Sequence, residues 1–277
     1  MLWFVSDATA AVYGRAKVHA QDCVGERQRR GLAPMTSLVL SVLLAQSSPC
    51  PPGWEALEAP GCFRRGQGPG LVLYLHGMLA PNERAFAREL GFIAPAAAKA
   101  QLTVIAPRGT PGLCDWAPEY KDWWCWPSVK GREPDTSAIV ERLAAAIAEV
   151  ARRMERTLPA PLIAGYSNGG YFTSLLMEGR LPATGFVVLH GGLVTGVTID
   201  ERPRPMLLIA AEGDLIQRPA METFRKALTD RHWTPAFVLR KKEHPLELED
   251  FEHLTSFARR LSWKPASGAS SAAAPAR

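Results

Sequence analysis

The stretch "LIAGYSNGGYF", residues 162–172, governs how the rest of the chain is read. Its first part is a short, continuous apolar run closed by glycine, the pattern of a strand buried on both faces of a sheet. From Asn168 to Glu178 the apolar residues resume at helical spacing. Between the two, Ser167 has Gly165 and Gly169 two positions away on either side. A serine placed there sits on a sharp strand-to-helix turn that needs small neighbours, and the turn exposes its hydroxyl. It also lies near the positive end of the following helix, where the Asn168 backbone N–H can point at a developing oxyanion. Gly-x-Ser-x-Gly alone arises by chance and marks a plain tight turn as readily as a nucleophile, so the surroundings decide.

On both sides of this stretch, strand and helix patterns alternate. "LVLYLHG" (71–77), "LTVIAPRG" (102–109), "GFVVLHGG" (185–192), "PMLLIAAEGD" (205–214) and "AFVLRKKE" (236–243) are short apolar runs of the same kind. Helical periodicity fills 83–100, 135–158, about 220–228 and 246–261, and Asp135 or Thr136 can cap the long second helix. A turn-rich stretch with a short strand around Trp54–Leu57 precedes them. The expected fold is α/β, a mostly parallel central sheet with helices on both faces. The domain expected to hold it spans 49–264, and the end of the chain, "PASGASSAAAPAR", is a low-complexity, disordered tail at 265–277.

Ligands of such a sheet bind at the carboxyl ends of the strands, which singles out His76, Arg108, Ser167, His190, Asp214 and His244. A serine hydroxyl is a weak nucleophile until a base takes its proton, and that base is usually a histidine oriented by a carboxylate. Asp214 and His244 end later strand runs, in the order Ser, Asp, His. Glu212 is the rival carboxylate and His253, inside the last helical segment, the rival base. His76 reads as a structural residue bonded to nearby backbone, and Arg108 as a brace for its loop.

With that order the chain resembles the α/β-hydrolase family over roughly Leu71 to Leu261, in "YLHGM", "GYSNGG", "AAEGD" and "EHPLELEDF". It is most similar to the small serine esterases of the carboxylesterase and dienelactone-hydrolase type, some of which are secreted. The resemblance implies an α/β-hydrolase fold, a catalytic triad of Ser167, Asp214 and His244, and no cofactor. It also implies an oxyanion hole made by the backbone N–H groups of Met78 and Asn168, with Leu79 close behind Met78. Gly213-Asp214 matches the family's turn before the acid. Glu243 departs from the glycine that often precedes the histidine.

The expected activity is hydrolysis of a small-molecule or polymer carboxylic ester by a serine esterase. A peptidase, thioesterase or acyltransferase using the same triad is the alternative, and a catalytically silent binding protein is the alternative outside enzymes. "GLCDWAPEYKDWWCWPS" gathers Trp116, Tyr120, Trp123, Trp124 and Trp126 where the chain leaves a strand at the binding edge. They form either a substrate platform or a cover for the core, and His190 is expected to line the site beside them.

Composition narrows the remaining classes. The net charge is +5, of which the first 35 residues supply +2, and no basic stripe interleaved with aromatics points to nucleic acid. No metal-ligand spacing and no Gly-rich phosphate loop or dinucleotide fingerprint occurs. "MTSLVLSVLLAQSSPCPPG", beginning at Met35, carries an apolar stretch too short to span a membrane and suited to a signal peptide. Residues 1–48 are therefore read as a leader, with Met35 as a possible true start, and the protein as secreted or periplasmic without stable membrane insertion. The oligomeric state is left open. Beyond the leader stand Cys50, Cys62, Cys114 and Cys125. Their local spacing suggests Cys50–Cys62 and Cys114–Cys125 disulfides, although four cysteines allow three pairings.

Overall fold

The structure, a computed structural model, describes residues 50–114, 117–129, 131–241 and 246–263. The expected leader and tail, Trp116 and His244 lie outside the described residues.

The apolar runs form strands where the pattern places them. In chain order the elements are β1 (Glu55–Ala56), β2 (Gly61–Arg64), β3 (Leu71–Leu75), α1 (Glu83–Lys99), β4 (Thr103–Pro107), β5 (Thr110–Pro111), β6 (Trp124–Cys125) and α2 (Glu133–Arg153). They continue with β7 (Leu162–Tyr166), α3 (Asn168–Leu176), β8 (Gly185–Leu189), β9 (Met206–Ala211), α4 (Gln217–Thr229), β10 (Ala236–Arg240) and α5 (Leu248–Arg259). The main sheet has the order β1-β2-β4-β3-β7-β8-β9-β10. From β4 to β10 every pairing is parallel, and β2 and β1 add an antiparallel edge.

Side chains alternate across this sheet, as the pleat requires. Val72, Tyr74, Leu162, Ala164, Val187 and Leu189 pack on one face with Phe86 and Leu90 of α1 and Phe251 and Leu254 of α5. Leu73, Leu75, Ile163, Phe186 and Val188 pack on the other with Leu143 of α2, Phe172 of α3 and Phe224 of α4. Both faces are covered, so the strands read as continuous apolar runs.

The connections define one special place. From β3 the chain passes through α1 to β4 on one side, then returns through α2 to β7 on the other side of β3. Connections leaving neighbouring strands in opposite directions open a crevice at their carboxyl ends. In this sheet that crevice lies after β3 and β7, where Met78 and Ser167 are found.

Three expectations are corrected. The segment around Gly61, expected as turn only, forms β2, whose register is set by pairing with β4 (Cys62 with Ala106, Phe63 with Ile105). The second helix starts at Glu133 with Pro134 in its first turn, where the missing N–H costs nothing, so Arg132 rather than Asp135 or Thr136 is the N-cap residue. It stops at Arg153 rather than 158, because Glu155 turns to φ 52°. α4 begins at Gln217 rather than near 220, since Asp214 captures the first N–H groups. Disulfides join Cys50 to Cys62 and Cys114 to Cys125, with Cα–Cα separations of 5.8 and 5.6 Å. No helix among the described residues is long and apolar enough to cross a membrane.

Candidate active site

Ser167 stands between β7 and α3 at φ 49° and ψ −114°, a conformation that side-chain-bearing residues adopt only when the surroundings impose it. Its N–H donates to the Leu189 carbonyl at 2.9 Å, and its own carbonyl accepts from Tyr171 N–H at 3.1 Å. The flanking glycines are sterically required. A Cβ on Gly165 would collide with the Gly169 carbonyl, and one on Gly169 with the Leu75 carbonyl at the end of β3. The motif is therefore a turn pressed against the neighbouring strand, with a half-buried serine at its apex.

Across the crevice, the segment after β3 is fixed residue by residue. Leu79 is engaged: its N–H donates to the Trp124 carbonyl at 3.1 Å and its carbonyl accepts from Trp124 N–H at 2.9 Å. Among the described residues, the Met78 N–H has no acceptor. Asn168 opens α3, so its N–H has no acceptor within the helix. Gly77, the residue before Met78, lies against the serine: a Cβ on it would come to 3.5 Å from the Ser167 Cβ.

The peptide that carries the Met78 N–H is held from behind. Its carbonyl, that of Gly77, accepts from His76 Nδ1, while His76 Nε2 accepts from Gly109 N–H at 2.8 Å. This pair of bonds requires the neutral Nδ1–H tautomer. Burial, aided by the charges of Arg108 and Arg142, lowers the His76 pKa to about 3 and keeps the ring neutral. Behind Gly77 lies Glu89 of α1, which accepts from Tyr74 Oη at 2.7 Å and from the Gly77 backbone. Burial raises its pKa to about 7. Sequence reasoning missed Glu89. The available signal was a lone acid within the 86, 90, 93 apolar stripe of α1.

Asp214 is buried at the end of β9, whereas Glu212 is exposed. Its Oδ1 accepts from Ile216 N–H at 3.1 Å and Gln217 N–H at 2.8 Å, so it fastens the turn that enters α4 and is itself held in place. The first turns of α3 and α4 are joined by Tyr171 Oη donating to Gln217 Oε1 at 2.9 Å. Burial and then the charge of Asp214 raise the Tyr171 pKa. Ser167, the N-cap of α3, and Asp214, in the turn that enters α4, therefore precede two helices tied at their first turns. His253 is a surface residue of α5, 3.7 Å from Glu249. On either side of segment 242–245, which contains His244, Arg240 pairs with Glu247 at 3.2 Å and with buried Asp250 at 2.8 Å.

Two of the expected substrate contacts are corrected. His190 has no exposed surface. Its Nε2 lies 3.2 Å from Asp250 Oδ1 and 3.0 Å from an Arg240 guanidinium nitrogen, so it braces the sheet end instead of lining the site. Trp126 is equally buried, stacked on Phe172 at 5.5 Å, and belongs to the core. Trp123 and Trp124 remain half-buried. Arg108 lies over the rings of Phe86 and Trp124, 4.7 and 5.6 Å from their centroids, as a loop brace would.

No family model matches the chain, and no curated protein matches it in sequence. Solved structures do match. The carboxylesterase of Mesorhizobium loti superposes with a TM-score of 0.56 at 18% identity, over 74% of this chain and 98% of that one. The carboxylesterase of Bacillus cereus gives 0.53 at 17% identity, over 71% and 91%. A single-substitution variant of Arabidopsis thaliana SOBER1 gives 0.50 at 19% identity, over 69% and 98%. At such identities the likeness concerns the fold: the chain has the α/β-hydrolase fold.

Proposed function

We propose that this chain is a serine hydrolase that cleaves a carboxylic ester through an acyl-enzyme. The observation that carries the reading is the imposed backbone of Ser167, set at the β3/β7 crevice against Gly77. In this reading Ser167 Oγ attacks the ester carbonyl and His244 takes its proton. Asp214, held by its own hydrogen bonds, orients the imidazole and stabilises its charged form. The Met78 and Asn168 N–H groups receive the negative oxygen of the tetrahedral intermediate. Collapse expels the alcohol, which receives the proton from His244. Water then releases the acid by the same steps in reverse. Half-buried Trp123 and Trp124 are the remaining described candidates for contact with the substrate. Two disulfides support an oxidising compartment, and with the leader reading they favour export.

A fluorophosphonate probe tests the chemistry. We expect stoichiometric labelling of Ser167, and a loss of about 10⁴-fold or more in kcat on p-nitrophenyl esters for Ser167→Ala and for His244→Ala. Folded wild type that takes no label overturns the serine-hydrolase reading, and a fully active His244→Ala variant overturns the base assignment. Parallel anilide and thioester substrates separate the esterase from a peptidase or thioesterase. N-terminal sequencing of protein recovered outside the cytoplasm is expected to begin beyond the leader.

A further inference from the structure

The Asn168 side chain does something that its place beside the nucleophile does not require. Asn168 is almost fully buried, and its carboxamide is bonded to the backbone of Trp126. Oδ1 accepts from the Trp126 backbone N–H at 2.8 Å, and Nδ2 donates to the Trp126 carbonyl at 3.2 Å. Only one orientation of the amide satisfies both bonds. The first residue of α3 is thereby fastened to one residue of a distant loop, as a strand would be to its neighbour.

That loop grips the other side of the crevice. Trp126 Nε1 donates to the His76 carbonyl at 2.9 Å, and Gly109 N–H donates to the His76 ring. Trp124 exchanges both backbone bonds with Leu79, the residue after Met78. Between Trp124 and Trp126 lies Cys125, bridged to Cys114, while β5 and β6 pair Thr110 with Cys125. Cys125 is thus tied to Cys114, and residues 124–126 are fixed to His76 and Leu79 on either side of the Met78 peptide and to Asn168 through the carboxamide.

We propose that the Asn168 carboxamide is a positioning residue. Through Trp126 and the neighbouring Cys114–Cys125 disulfide, it sets the separation between the Asn168 and Met78 N–H groups. The inference rests on the serine-hydrolase reading, and it adds a specific cause for the geometry of the oxyanion hole. Two donors on different loops stabilise an oxyanion only if both are about 2.7–3.1 Å from the same point, and a fixed strut provides that without reorganisation during the reaction. A ground-state carbonyl demands this less than the charged intermediate does. Loosening the strut therefore lowers kcat and leaves KM nearly unchanged.

The test uses full-length protein with p-nitrophenyl acetate and a fluorophosphonate probe. Asn168→Ala keeps the backbone N–H and removes the strut. We expect kcat to fall roughly tenfold to a hundredfold, KM to stay within about twofold, and probe labelling to slow in parallel. Cys114→Ala/Cys125→Ala attacks the same strut elsewhere, and combining it with Asn168→Ala should lower kcat little further than the worse of the two. Unchanged kcat in folded Asn168→Ala overturns the inference, as does a rise in KM matching any fall in kcat/KM. Losses that multiply in the combined variant also overturn it. If Asn168→Ala does not fold, the cysteine pair alone decides by the same kcat and KM criteria. Wild type that neither labels nor hydrolyses esters removes the underlying reading itself, an outcome distinct from an active enzyme indifferent to Asn168.

Discussion

Ser167 joins local strain to the proposed chemistry in one residue. Its φ of 49° with ψ of −114° is a conformation expected to cost about 1–3 kcal/mol for a residue with a Cβ. Its bonds to Leu189 and Tyr171 and the tight seating of Gly165 and Gly169 hold it there. Ser167→Gly and Ser167→Ala both remove the hydroxyl, but only glycine relieves the backbone. We expect both to be inactive and Ser167→Gly to be about 1 kcal/mol more stable than Ser167→Ala in urea titrations. Equal stabilities would show that the turn is not strained.

At the scale of elements, the two disulfides have different neighbours. Cys50–Cys62 fastens the chain ahead of β1 to β2, which lies between β1 and β4 at the antiparallel side of the sheet. Closing a loop across a sequence separation of 12 restricts the unfolded chain by about 3 kcal/mol. Cys50→Ala/Cys62→Ala should therefore lower the unfolding free energy by roughly that amount and leave kcat and KM on p-nitrophenyl acetate unchanged. A kcat loss there equal to that of the Cys114/Cys125 pair would mean that the edge hairpin is coupled to the crevice. α1 shows the same distinction between scaffold and site within one helix. Phe86 and Leu90 anchor it to the sheet, while Glu89 beside them holds the Gly77 backbone.

Across the whole molecule, burying titratable groups behind the crevice makes stability depend on pH. Glu89 titrates near 7 in the folded protein instead of near its ordinary 4.5. Between those values the folded state keeps a proton that the unfolded chain has released. The stabilisation is thus fully present below the unfolded pKa and is lost as pH rises through about 7. His76, lowered to about 3 from 6.5, has the opposite sign, and its contribution is lost as pH falls below its ordinary value. Comparison with Glu89→Gln isolates the carboxyl. The stability of the variant relative to wild type should rise by up to about 3 kcal/mol between about pH 4 and about pH 8, read by urea denaturation at each pH. A difference that does not vary with pH would place the Glu89 titration at its ordinary value.

The alternation of strands and helices, the seat of Ser167 and the carboxylate at the end of β9 were all legible in the residue pattern alone. Each depends on short-range rules: apolar runs mark strands covered on both faces, and a serine between glycines marks a turn that excludes side chains. The same pattern also narrowed the cysteines to local pairs. Tertiary structure decided which polar and aromatic residues belong to the site and which to its support. Trp126 and His190 stand where a binding residue would stand, yet both are buried, because Asn168 lies 42 residues from Trp126 and Asp250 lies 60 from His190. Strand β2, second from the sheet edge, likewise takes its register from β4, not from its own pattern. Periodicity records which face of an element is apolar. Whether a tryptophan, histidine or glutamate is buried depends on partners that distant segments supply, and only the folded chain brings them together.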